Sequence, residues 1–160
     1  MTKIEFINKM NIACAEAAVK KARFNKTVVY AQAALESNWG NSSLTQKANN
    51  LFSIKAGSSW VGDTVAFEAR EWNYRYGWYL RRDTWRKYAS WSDCIIDYAN
   101  IIAKVSWFQD ALQYLETPSK FLKALLMDGT HPGWATDPEY YQKIVKIAKQ
   151  LERFGGPRWE

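Results

Sequence analysis

Apolar residues Ile4, Ile7, Met10, Cys14 and Ala18 recur at three- and four-residue steps, and this spacing predicts a helix with one buried stripe from Lys3 to about Phe24. Asn25 then offers a cap for a second helix, TVVYAQAALES, which is apolar on nearly every side. Such a helix is expected at the centre of a helical layer, surrounded by others. Gln32 and Glu36 are the polar exceptions in it and need explaining. Gly40 reads as a stop, and NSSLTQKANN beyond it mixes cap formers with one short helical stretch.

From Ser58 the texture changes to β-branched and aromatic residues. WVGDTVAFEAREW and GWYLRRDTWRKY flank Asn73 to Gly77, which reads as a hairpin turn, so a small antiparallel lobe is predicted over about residues 58–90. Helical texture returns in SWSDCIIDYANIIAK, with Ser90 or Ser92 as cap and Ile95, Ile96, Tyr98 and Ile102 directed inward. Thr117 and Pro118 open a helix to Met127, since proline is tolerated in a first turn. DGTHPGWATDP is a loop, and Asp137 with Pro138 starts a final helix to Phe154. The expected fold class is α+β, a mainly helical lobe with a β-hairpin lobe, in one domain over residues 1–160.

The charge balance of 22 basic against 16 acidic residues, +6, favours an anionic partner without naming it. Residues 1–26 carry six basic and two acidic side chains, and residues 91–138 carry three and six. One face is therefore expected to be basic and another acidic. Two distant cysteines, Cys14 and Cys94, indicate neither a disulfide framework nor a thiolate zinc site. A single histidine, His131, removes HExxH and multi-histidine metal centres. No metal and no cofactor are expected, so chemistry falls to carboxylates, hydroxyls and aromatics. Nine Trp, nine Tyr and seven Phe, many of them between Trp60 and Trp91, fit either a flat ligand or a thin aromatic core.

Glu36 lies at the end of a helix whose preceding residues, Ala33, Ala34 and Leu35, are apolar, with Trp39 and Gly40 just beyond. The negative end of the helix dipole and desolvation both raise the pKa of a carboxyl there, toward the range of a general acid. The alternative is an edge carboxylate paired to Lys or Arg. Glycoside hydrolysis usually needs a second carboxyl across the scissile bond. Glu68 and Glu71 are the hairpin candidates; three apart on a regular strand they face opposite sides, and periodicity does not choose between them. Cross-strand pairing with Arg81, Arg82 or Arg86 is the other use for either.

AQAALESNWGNSSLTQKANNLFSIKA, from Ala31 to Ala56, resembles the signature of the bacterial peptidoglycan β-N-acetylglucosaminidases of glycoside hydrolase family 73, relatives of flagellar and autolytic wall hydrolases. The resemblance continues in AREW at Ala69–Trp72, TWRKYASW at Thr84–Trp91 and GWATDPEYYQKI at Gly133–Ile144. It implies a lysozyme-like fold with a glycan cleft between the helical and hairpin lobes, and hydrolysis of the β-1,4 bond after GlcNAc. On matching positions, Glu36 in ALESNWG corresponds to the general acid and Glu71 in AREW to the second carboxylate, which activates water. Tyr140 in TDPEYY corresponds to a cleft tyrosine, which in another route steadies attack by the substrate's own acetamido oxygen. Asn50, Phe52, Trp39 and Trp134 correspond to subsite walls, with Trp39 equally placed for core. The family often has glycine where this chain has Asn38 and Ser53. Its hairpin usually carries an acidic residue before Tyr and a short Asn-Gly turn, where this chain has Trp72 followed by NYRYG.

A muramidase or lytic transglycosylase on the same fold, and a non-catalytic glycan-binding module, are the rival readings. A thiol pair of Cys14 with His131 is disfavoured because Cys14 falls on an apolar helix stripe. No phosphate-cradling motif occurs, and lysines on a first helix are ordinarily solvated, so the expected partner is the glycan strand, with neither nucleic acid nor membrane, and the chain is expected to be a monomer. No segment reads as a signal peptide or membrane span. The corresponding expectation is cytoplasmic synthesis and action on wall peptidoglycan, after phage release or delivery by a secretion system.

Overall fold

In the computed structural model, residues 1–160 are described except Tyr74, Tyr76 and Met127, and at 69–73 and 78 the backbone alone is described. The chain runs α1 (Lys3–Val19), α2 (Lys26–Glu36), α3 (Ser43–Ala48), β1 (Thr64–Asn73), β2 (Gly77–Arg86), α4 (Trp91–Lys104), a 3-10 helix (Ser106–Tyr114), α5 (Pro118–Ala124) and α6 (Tyr140–Arg153). The α+β reading is the observed one. None of the helices is long and apolar enough, among the described residues, to cross a membrane.

Helix α1 starts with a reciprocal cap, in which Glu5 N donates to the Thr2 hydroxyl and Thr2 N to the Glu5 carboxylate. It stops at Val19, short of the expected Phe24, because Lys21 turns left-handed (φ 63°) and Ala22 N reaches back to Ala17 O. Its buried stripe is Phe6, Ile7, Met10, Ala13, Cys14 and Ala17; Ile4 and Ala18, expected inside, are exposed. Helix α2 is capped by Asn25, whose side chain accepts from Val28 N, and Thr27 through Ala34 are all buried, so it is the central helix its sequence predicts.

Helix α6 packs on α2 through Tyr140, Ile144, Ala148 and Leu151, a stripe at helical spacing that carries Tyr140 to the end of α2. Asp137 does not cap α6 directly. Its carboxylate accepts from Glu139 N at 2.9 Å and its carbonyl from Tyr140 N at 3.0 Å, which forms a turn ahead of the helix. Ser90 is the cap of α4, with Asp93 N donating to its hydroxyl at 3.1 Å. Ser92, the other candidate, is buried, and its hydroxyl has no hydrogen-bond partner among the described residues. The 3-10 helix was not expected, and α5 ends at Ala124, ahead of Met127, which lies outside the described residues.

Strands β1 and β2 form a two-stranded antiparallel sheet in the register Thr64 opposite Arg86 through Asn73 opposite Gly77. The predicted turn between Asn73 and Gly77 falls partly on Tyr74 and Tyr76, outside the described residues. A hairpin alone is marginal in water, so its root matters. Ala56 N donates to Thr84 O, Arg86 N to Ile54 O and Tyr88 N to Ala48 O, while Asp97 of α4 takes the Arg86 guanidinium at 2.8 Å and the Tyr88 hydroxyl at 2.6 Å. Trp60 packs edge-on to Tyr88 with Arg86 over its face. These aromatics of the Trp60–Trp91 region serve the hairpin root, and Trp91 itself is core. Both cysteines are free and buried, and Cys94 Sγ accepts from Leu51 N. Burial pushes the Cys14 thiol up to about 12, against the thiol-nucleophile option. His131 instead stacks on Trp107 and bonds Asp128.

Candidate active site

Glu36 occupies the last turn of α2, which closes with Trp39 N on Ala34 O at 2.8 Å and Asn38 left-handed at φ 49°. Trp39 (φ 55°) and Gly40 (φ 77°) continue in left-handed backbone, and a Cβ added at Gly40 would lie 3.0 Å from the Trp91 ring. The helix therefore ends earlier than Gly40, and the chain turns sharply away. Side chains on a helix lean toward its N-terminus, so Glu36 stands beside Gln32 one turn back.

A recess of about 490 Å³ opens over this turn, within the size range of ligand sites. Leu35, Glu36, Phe52, Ser53, Trp134 and Tyr140 line it, with Asp137 and Lys143 at its rim. Trp134 meets Phe52 edge-on and Tyr98 at 4.8 Å between ring centroids, and its backbone N–H on Leu125 O fixes the loop that carries it. Ser53 is left-handed (φ 53°), like Asn38, so both positions where the resembling family often has glycine adopt the backbone glycine favours.

Four expected site residues thus come together: Glu36, Phe52, Trp134 and Tyr140. Two do not. Trp39 packs edge-on to Phe6 of α1 at 5.5 Å with Lys3 over its ring, which is the core use left open for it. Asn50 is 1% exposed, and its amide donates to Ile54 O and Arg86 O while its oxygen accepts from Ile54 N. With both donors engaged inward, Asn50 fastens the hairpin root and does not wall the recess. Glu71 pairs through its backbone with Tyr79, and its side chain lies outside the description. No described side chain of the hairpin lines the recess, which belongs to the helical lobe.

Among the described residues Glu36 makes no ion pair, so no described Lys or Arg gives it the paired-edge use. Burial raises its pKa, and the Tyr140 hydroxyl, 3.4 Å from Oε1, pulls the other way by favouring the ionised form. Burial and the adjacent Glu36 charge keep the Tyr140 hydroxyl protonated well above the ordinary phenol range. At the rim, Lys143 Nζ holds Asp137 at 2.5 Å and keeps its carboxyl low, so that pair is neutralised. The site is a carboxyl whose pKa burial raises, lining an aromatic-walled recess, an arrangement suited to protonating a leaving oxygen.

Sequence reasoning left Gln32 without a role and expected of Tyr98 only inward packing. Gln32 is fully buried; its Nε2 donates to Tyr140 Oη at 3.1 Å and its Oε1 accepts from Tyr98 Oη at 2.5 Å. Its one sequence signal was being polar in an otherwise apolar helix.

The glucosaminidase family, described as mannosyl-glycoprotein endo-beta-N-acetylglucosaminidase, matches residues 12–153. This chain belongs to that family. The peptidoglycan hydrolase FlgJ of Pseudomonas aeruginosa is 32% identical over 155 residues, covering 94% of this chain and 37% of that protein. The exo-glucosaminidase LytG of Bacillus subtilis is 32% identical over 127 residues, covering 79% of this chain and 44% of that protein. The chain thus spans about two fifths of the length of these curated relatives. Among solved structures, the catalytic domain of the autolysin Auto from Listeria monocytogenes superposes with a TM-score of 0.74 at 28% identity, covering 97% of this chain and 88% of that one. The glucosaminidase fold here is the lysozyme-like one that the resemblance implies.

Proposed function

We propose that this glucosaminidase domain hydrolyses the β-1,4 bond after GlcNAc in bacterial peptidoglycan, with glycan strands as its partner and the wall as its place of action. The observation that carries the reading is Glu36: a half-buried carboxyl with no cation paired to it among the described residues, lining an aromatic-walled recess. The wall-hydrolase names of its relatives support the substrate class.

Glu36 protonates the glycosidic oxygen as the bond to the GlcNAc anomeric carbon breaks, and Phe52 and Trp134 present apolar faces to the sugar rings. Glu71 is proposed to take a proton from the water that adds to the anomeric carbon. The position of Tyr140 favours a second route, in which the substrate's acetamido oxygen attacks. The single Tyr140 proton points to Glu36 and one lone pair accepts from Gln32, so Tyr140 can accept from the acetamido N–H but not donate to that group.

The test is digestion of purified peptidoglycan by wild type and Glu36→Gln, then borohydride reduction and mass spectrometry of the new ends. Reduced GlcNAc ends that vanish with the variant are expected. Reduced or anhydro-MurNAc ends move the cut to the other linkage, and glycan binding without new ends makes the domain a binding module. Glu71→Gln separates the routes: a large loss of kcat assigns it the base, and near-retention assigns attack to the acetamido group.

A further inference from the structure

Gln32 sits one turn before Glu36 on α2, fully buried, with a hydroxyl from a different element at each end of its amide: Tyr98 of α4 and Tyr140 of α6. A buried amide is costly unless paired, and pairing alone does not fix which end faces which hydroxyl, because each tyrosine can donate or accept. The Glu36 end decides. A carboxylate only accepts, so once Glu36 has given up its proton Tyr140 must donate to it. Tyr140 then needs a donor at its own oxygen, which is the N–H end of Gln32, and the carbonyl end is left for Tyr98. The observed order, Tyr98 to Gln32 to Tyr140 to Glu36, is that arrangement.

We propose that Gln32 is a positioning residue: its amide, oriented by Tyr98, keeps Tyr140 a hydrogen-bond donor to Glu36 Oε1 and so leaves Oε2 as the oxygen that carries the catalytic proton. Among the described residues Oε2 has no hydrogen-bond partner, while Oε1 is engaged. The chain thus serves both halves of the proton cycle. It aims the proton while Glu36 is neutral and meets the charge when Glu36 is ionised. This inference rests on the reading of Glu36 as general acid.

The other charged or titratable groups at the recess are Asp137, on the loop before α6, and Lys143, on α6; they are bonded to each other and untouched by changes at position 32. A shift in the titration of Glu36 on altering Gln32 therefore reports on Tyr140.

The experiment uses Gln32→Met, which keeps length and removes both polar ends, and Tyr98→Phe, which removes only the far donor. Kinetics are followed across pH on a soluble GlcNAc–MurNAc tetrasaccharide, with thermal unfolding alongside. Gln32→Met is expected to lower kcat by at least about tenfold, with KM changed less than about twofold, as for a group that orients a reacting residue. The alkaline limb of kcat should move to higher pH, because Glu36 loses support for its ionised form. Tyr98→Phe should shift the limb in the same direction by less, and it gives the answer if Gln32→Met does not fold. Combined with Tyr140→Phe, either change should add little, since it acts through that hydroxyl. Folded variants with a wild-type alkaline limb, or losses that add fully to those of Tyr140→Phe, overturn the inference. Activity surviving in Glu36→Gln overturns the reading of Glu36 as general acid, on which this inference rests, whereas an inactive Glu36→Gln beside an unaffected Gln32→Met removes only the positioning role.

Discussion

The Tyr140 hydroxyl lies 3.4 Å from Glu36 Oε1, joining residues 104 positions apart. Burial raises the pKa of that carboxyl and this contact lowers it, with burial the larger effect. The two act on the Glu36 proton in opposite senses, and the net direction is toward the acid form. The contact exists because α6 lies along α2, so the proton donor is tuned by helix packing as well as by what surrounds it.

Stability should carry the signature of this burial. With a folded pKa above the unfolded one, the native state keeps the Glu36 proton longer than the unfolded chain as pH rises. The favourable contribution is complete below the unfolded pKa and is lost as pH rises through the folded value. Glu36→Gln has no such dependence. Its stability relative to wild type should increase from acid to neutral pH, ending above wild type, in thermal unfolding at matched pH values; a constant difference would contradict the burial argument.

Asn50→Ala should act on folding. Removing the amide takes the side-chain partner from the Arg86 carbonyl and the Ile54 N–H and one of two donors from the Ile54 carbonyl, which keeps Arg86 N. A cost of about 2 kcal/mol is expected for three part-buried hydrogen bonds with partial rescue by water. Urea unfolding measures it. Weaker substrate binding at wild-type stability would instead return Asn50 to the recess wall.

Ser53→Gly and Asn38→Gly should differ although both positions are left-handed. Serine is strained there and glycine is not, so Ser53→Gly is expected to stabilise by about 1 kcal/mol. Asparagine tolerates this conformation, so Asn38→Gly should change stability by less than about 0.5 kcal/mol. Equal gains at both positions would show that backbone strain is not what distinguishes them.

Local chemistry was legible in the sequence. The helices announced themselves by spacing, Asn25 by its capping type, Pro118 by its place in a first turn, and Glu36 by being a carboxyl among alanines. The 3-10 helix was not legible, because SWFQDALQY has no side-chain cap and too short a repeat to separate from loop. Gln32 stood out as anomalous, yet its partners lie 66 and 108 residues away, a distance only the fold closes. Trp39 and Asn50 show the opposite limit. A motif transfers residues, but whether a side chain faces the recess or the interior is decided by the backbone turn beneath it, here the left-handed exit of α2 and the bends before the hairpin.

The two thiols have a consequence for where such a domain can work. Cys14 lies within the α1 stripe and Cys94 under Leu51, so neither is offered to oxidants or to a second thiol. The fold has no cross-link to form after synthesis and none to lose on reduction. A reducing and an oxidising environment therefore leave the same covalent structure, and the fold needs no redox maturation in either.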